Sequence, residues 1–82
     1  MADISPAQCR AARSLLSWRQ DELEAASGVA KKTIADFERG ARTPRAATLA
    51  TIKVTLEDAG IEFIDENGGG AGLRLRGAPQ EG

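Results

Sequence analysis

At 82 residues with 41% apolar and 28% charged side chains, the chain has the composition of one small globular domain with a modest core. One cysteine, Cys9, excludes an internal disulfide, and the lack of histidine and tyrosine removes the commonest general base and most metal sites. No apolar run approaches the roughly 18 residues of a membrane span, and Met1 onward lacks a basic-then-apolar signal pattern, so a cytoplasmic protein with no membrane partner and no cofactor is expected.

Met1 to Ile4 are expected to fray. Ser5, Pro6 and Gln8 make a strong helix start: a cap, a proline at the first helical position, and a glutamine placed to close a capping box. The first helix is predicted to run to about Leu16. Cys9, Ala12 and Leu16 form its apolar stripe, which Leu15 widens, so Cys9 reads as a buried small hydrophobe rather than a reactive thiol. Arg10 and Arg13 lie on a neighbouring face.

Ser17 and Gln20 repeat the capping-box pattern, which puts the cap of the second helix at Ser17 and makes Trp18 helical. The alternative is a cap at Arg19, a residue poorly suited to it. Trp18 is expected to be partly buried where the first two helices meet.

From Gln20 to Gly40 the spacing predicts two short helices joined by a tight turn. Leu23 and Ala26 share one face; Val29, Ile34 and Phe37 supply the apolar side of the next segment. Gly28 ends the second helix, because glycine takes a left-handed conformation at no steric cost. So short a connection forces a sharp crossing. The third helix opens on Lys31 and Lys32, two cations where the helix dipole favours anions. A local rule broken in this way points to function, and the simplest use for the cations is a polyanion lying across that end.

Ala41 to Arg45 form a basic loop. Thr43 and Pro44 read as the cap and first position of a fourth helix reaching about Ala59, with Leu49, Ile52 and Leu56 as its core stripe and Gly60 as its stop. Val54 faces the other way, near Ala47 and Ala50, and a small apolar patch of this kind is a dimer contact or nothing. Ile61 to Ile64 and Leu73 to Arg76 read as two short strands around a glycine-rich link, Asp65 to Gly72, which lacks the Lys-Ser/Thr of a phosphate loop. A two-stranded hairpin is marginal alone, so it must lean on the helices or on a second subunit. Gly77 to Gly82 are expected to be disordered.

The net charge of −1 conceals an uneven distribution: residues 1–30 carry net −1, residues 31–53 net +4 and residues 54–82 net −4. A basic patch sits in the middle of an otherwise acidic chain.

From about Ser5 to Gly60 the residues resemble the helix-turn-helix domain of the Cro/cI-type repressors, the XRE family. The resemblance rests on Arg13, Gln20-x-x-Leu23, Gly28-Val29, Ile34, Glu38-Arg39-Gly40, Pro44 and Leu49 in that order. The ending GIEFIDENGGGAGLRLR also resembles that of some compact bacterial members. The implied fold is mainly α: a lambda-repressor-like helix-turn-helix domain of four or five helices over residues 1–60, with a short β-hairpin and flexible tail over 61–82 that is a candidate for dimerisation.

The resemblance implies double-stranded DNA as partner. Lys31, Lys32, Thr33 and Asp36 are then expected to face base edges in the major groove. Gln20, Arg39, Arg42 and Arg45 are expected to hold phosphates, and Arg13 and Glu38 to form a structural pair. The chemistry agrees, since lysine donates to guanine, aspartate accepts from cytosine, and arginines on phosphates position without specifying. Dimer contacts are expected from Val54, Ile61, Phe63, Ile64, Leu73 or Leu75. Two positions depart from the family pattern. Glu24 stands where a close helix approach usually has alanine, so Glu24→Ala is expected to be neutral or stabilising. Ala30 stands where a capping serine or threonine is common, leaving free N–H groups at the start of the third helix.

The resulting expectation is a dimeric DNA-binding regulator of transcription, a repressor or an autoregulatory controller. The acidic tail keeps a second class in view, a protein-binding module such as an antitoxin or adaptor on the same scaffold. No nucleophile and base constellation supports an enzyme.

Overall fold

The computed structural model describes residues 4–64 and 72–75. Four helices and one hairpin follow in chain order: α1 (Pro6–Leu16), α2 (Gln20–Ser27), α3 (Lys31–Glu38), α4 (Ala46–Asp58), β1 (Ile61–Ile64) and β2 (Gly72–Leu75). The fold is thus mainly helical with a C-terminal two-stranded hairpin. The glycine-rich link as far as Ala71, Arg76, the first residues to Asp3 and the tail from Gly77 lie outside the described residues, and Gly72, expected in the link, opens β2.

The start of α1 follows directly from its sequence. Ser5 Oγ accepts the Gln8 N–H at 3.1 Å while Gln8 Oε1 accepts the Ser5 N–H at 2.9 Å, and Pro6 occupies the first turn, where no intrahelical donor is needed. Ile4, expected to fray, is instead buried against the core. Leu15 departs the other way. It is 46% exposed, so the buried stripe of α1 is the narrower set Gln8, Cys9 and Ala12, with Leu16 half-buried.

Ser17 does not cap α2. It is the left-handed residue that ends α1, with φ 59°, and the chain closes there through Trp18 N–H to the Arg13 carbonyl at 2.8 Å. The start of α2 falls at Arg19, whose backbone N–H donates to Glu22 Oε1 at 2.6 Å. Asp21 and Glu22 in the first turn further suit the helix dipole.

Gly28, at φ 79°, ends α2 and turns the chain into α3. The α3–α4 connection is longer than expected. Arg45, in an extended conformation, precedes α4, which starts at Ala46 rather than at Pro44. The fixed φ of proline suits an extended segment as well as a first helical turn, so Pro44 carries the loop across instead of opening the helix.

The strands pair antiparallel with Ile61 opposite Leu75, Glu62 opposite Arg74, Phe63 opposite Leu73 and Ile64 opposite Gly72. Arg74 Nε donates to Glu62 Oε1 at 2.9 Å across this ladder. The hairpin leans on the helices of its own chain. Gln8 Nε2 reaches the Gly72 carbonyl at 3.3 Å, and Ile61 is wholly buried among Leu23, Ile34, Ile52 and Leu56. Each such aliphatic side chain contributes about 1.5–3 kcal/mol by leaving water. Ile61 is therefore a core residue of the protomer and drops out of the dimer candidates, while Phe63 and Leu73 are half-buried against the same core. Ala26, expected to share the buried face of Leu23, is exposed.

Candidate nucleic-acid interface

The lower end of α3 is fixed by one carboxylate. Glu38, the last residue of α3, is 3% exposed and receives four donors. Arg13 grips it at both ends, Nε to Oε2 and Nη2 to Oε1, each at 2.7 Å. Gln20 Nε2 donates to Oε1 at 3.0 Å and the Cys9 thiol to Oε2 at 3.1 Å. Arg10 adds a bond from Nη1 to the Glu38 carbonyl, and Arg13 Nη1 holds the Trp18 carbonyl at 3.0 Å. The bidentate arginine is the geometry that makes a charge-assisted pair strong and directional. Gln20, expected on a phosphate, here turns its amide inward to Glu38.

Burial, the largest single influence on Glu38, pushes its carboxyl upward, but the combined donors of Arg13, Gln20 and Cys9 hold it below the ordinary glutamate value. Burial and the neighbouring carboxylate push the Cys9 thiol far above the usual range, so it stays protonated and donates. A folded-state value below the unfolded one gives stability that is fully present above about pH 4.3, the ordinary glutamate value, and is lost as pH falls through the depressed one. Asp21 and Asp36, also depressed, act in the same direction. With no histidine in the chain, thermal midpoints are expected to be flat from about pH 5.5 to 8 and to fall below about pH 4.3. Glu38→Gln is expected to flatten part of that acid limb, and a limb left unchanged would place the titration elsewhere.

At the opposite end of α3 the two departures in the sequence compensate each other. Ala30 offers no side-chain cap. Glu24 reaches over from α2, and its Oε2 accepts the Lys31 N–H at 3.2 Å. That N–H is not free, and the carboxylate meets the positive end of the helix dipole. The expectation for Glu24→Ala reverses accordingly: a loss of about 0.5–1 kcal/mol, the ordinary worth of an exposed cap, is predicted from urea midpoints. Glu24→Gln is expected to recover most of it by keeping an acceptor.

The cations at this end are also compensated. Lys31 Nζ pairs with Asp21 Oδ1 of α2 at 2.7 Å. Lys32 Nζ pairs with Asp36 Oδ2 at 3.2 Å, and Arg39 Nη2 holds the other oxygen of Asp36 at 2.7 Å. The Arg39 guanidinium first, and then Lys32, hold the Asp36 carboxyl below its ordinary value. Asp21 and Glu24 were not among the expected site residues. Their partners are set by how α2 crosses α3, and the only sequence signal was an acidic α2 beside a basic α3.

Lys32, Thr33, Asp36, Arg42, Arg45 and Thr48 line one open groove of about 550 Å³ between α3 and the loop leading to α4, with Thr43 and Pro44 at its wall. The fold thus brings three of the four α3 residues expected at bases beside two of the arginines expected at phosphates. Lys31, on the α2 side, and Gln20, on the Glu38 side, lie outside that groove; Arg39 borders a separate shallow hollow with Arg10, Arg13, Gln20, Ala35 and Glu38. Thr48, at the start of α4, is a groove residue that the sequence did not single out. Among the described residues no group of three or more metal-ligating side chains is placed to hold an ion, and no helix is long and apolar enough to cross a membrane.

The order of elements, the short turn at Gly28 and the exposed basic face of α3 are those of a helix-turn-helix. Among curated proteins none matches the chain. A family model described as helix-turn-helix matches residues 10–53, from Arg10 in α1 to Lys53 in α4. With more than half of its length matched, the chain belongs to the Cro/cI-type (XRE) helix-turn-helix family of DNA-binding regulators.

Proposed function

We propose that this protein is a sequence-specific regulator of transcription, a dimeric repressor or autoregulatory controller in the cytoplasm that lays α3 in the major groove of an operator. The observation that supports this most is the open groove in which Lys32, Thr33 and Asp36 of α3 stand beside Arg42 and Arg45. Side chains suited to base edges and side chains suited to phosphates share one face, which is what placing a reading helix requires. Lys31, Lys32, Thr33 and Asp36 read bases in this proposal. Arg39, Arg42 and Arg45 hold the backbone, and Gln20 turns from Glu38 to a phosphate when DNA arrives.

Two copies bind a pseudo-palindromic site with half-sites about 34 Å apart, one turn of the duplex. The contact between copies comes from the exposed Val54 on α4 or from the hairpin, through the exposed Ile64 and Leu75 with the half-buried Phe63 and Leu73. The test is a gel shift on the DNA upstream of the protein's own gene against a scrambled duplex, across a salt series. A nanomolar complex of two-subunit size on the first duplex alone is expected. Equal, weak binding to both would overturn the reading in favour of a protein partner, and a monomer at high concentration in the ultracentrifuge would overturn the dimer.

A further inference from the structure

The recognition face is less basic than its sequence suggests. Lys31, Lys32, Arg39, Arg42 and Arg45 are five cations on or next to α3. Three of them, Lys31, Lys32 and Arg39, are already held by carboxylates in the free protein. Asp36 belongs to α3 itself, but Asp21 comes from α2 and has no place in reading bases. Its pair with Lys31 is short, 2.7 Å, with both side chains 53% exposed. A carboxylate standing this close to a DNA-facing lysine repels phosphate and must be justified by something other than affinity.

We infer that Asp21 is a specificity-determining residue: it occupies Lys31 as an internal substitute for phosphate, so that Lys31 binds an operator but is withheld from DNA at large. The argument rests on the reading of α3 given above and on the donor count of lysine. An ammonium group has three N–H donors. With one on Asp21, two remain for a guanine edge, so the pair survives on an operator. On a non-cognate duplex no base edge is matched, and Lys31 contributes only by swinging to a phosphate. That movement breaks the pair with Asp21 and leaves its carboxylate unneutralised beside the backbone. The same carboxylate therefore costs affinity on non-cognate DNA and little on the operator. It also fixes the direction of a side chain that otherwise samples many rotamers.

Glu22 provides the control. It carries the same charge on the neighbouring residue of the same helix turn, but its carboxylate serves the Arg19 backbone N–H and not Lys31. The experiment measures wild type, Asp21→Asn and Glu22→Gln on operator and scrambled duplexes by fluorescence anisotropy from about 50 to 200 mM salt. Asp21→Asn is expected to bind the scrambled duplex roughly three- to tenfold more tightly, with a log–log salt slope steeper by about 0.9 for the one phosphate that Lys31 gains. Operator affinity is expected to change by less than about twofold, so discrimination falls. Glu22→Gln is expected to leave the ratio of the two affinities unchanged.

If Asp21→Asn and Glu22→Gln shift both duplexes alike, general charge accounts for the effect and the inference is overturned. It is equally overturned if Asp21→Asn leaves scrambled-duplex affinity and slope as in wild type. A wild type that does not tell the two duplexes apart overturns the reading of α3 and this inference with it, whereas failure at Asp21 alone, with wild-type discrimination intact, leaves that reading standing.

Discussion

Arg13→Ala is expected to lower the unfolding free energy by about 3–5 kcal/mol, the usual cost of removing one partner from a buried ion pair. Against the lower end of the usual range of about 5–15 kcal/mol for a whole domain, that is more than half of the total stability. The size follows from what stays behind. Glu38 is 3% exposed and would keep only Gln20 and the Cys9 thiol as side-chain donors. Two neutral donors do not replace a bidentate guanidinium, so the carboxyl either remains charged in a dry site or takes up a proton. The Trp18 carbonyl loses its donor as well. Urea denaturation of Arg13→Ala, Glu38→Gln and the double variant measures the coupling. The double variant is expected to be more stable than Arg13→Ala, because it leaves no uncompensated charge. Equal loss in both would mean that the guanidinium acts mainly by packing its stem.

The second large effect is expected in DNA affinity. Replacing Lys31 and Lys32 together with alanine is predicted to weaken operator binding roughly thirtyfold or more, since each well-placed base contact discriminates by about 1–3 kcal/mol. Binding to a scrambled duplex is expected to change far less. Replacing Arg42 and Arg45 is expected to give the opposite pattern, weakening both duplexes to a similar extent and reducing the log–log salt slope by about 1.8, about 0.9 per lost phosphate contact. Gel shifts over a salt series separate the two. A lysine variant that loses equally on both duplexes would move Lys31 and Lys32 from base contacts to phosphate contacts.

Much of the architecture was readable in local patterns because local chemistry decides it. Ser5-Pro6-x-Gln8 has one good geometry, and it starts α1. Gly28 stands where only a residue free of a Cβ turns left-handed at little cost. Leu49, Ile52 and Leu56 follow one helical stripe and all three are buried. The misreadings occurred where two local rules competed. Ser17 and Gln20 match a capping box, yet the same serine was needed as the left-handed end of α1, and the closure onto Arg13 prevailed. Thr43-Pro44 match a helix start, but the chain had first to cross from α3 to α4.

Within the site, residue types were legible and partners were not. Lys31 and Lys32 drew attention as cations at the wrong end of a helix. The carboxylates that answer them, Asp21 and Asp36, and the cap from Glu24, depend on the angle between α2 and α3 or on rotamers that spacing does not specify. The opposition of Arg13 and Glu38 was suggested by family resemblance alone. Nothing in the intervening residues announces that pairing.

The knot of hydrogen bonds at Glu38 also bears on how the protein meets a duplex. One carboxylate on α3 is held by α1 through Arg13 and Cys9 and by α2 through Gln20. Tilting α3 against α1 would stretch the Arg13 and Cys9 bonds together, and these stay in place when Gln20 turns to a phosphate, so α1 and α3 move as one body. α3, the helix proposed to read bases, is thereby presented in its final shape, and binding spends little conformational entropy on it. In the proposed complex, whatever adjustment of fit an operator demands falls elsewhere: on the bend and groove width of the DNA, and on the angle between the two copies proposed to bind it.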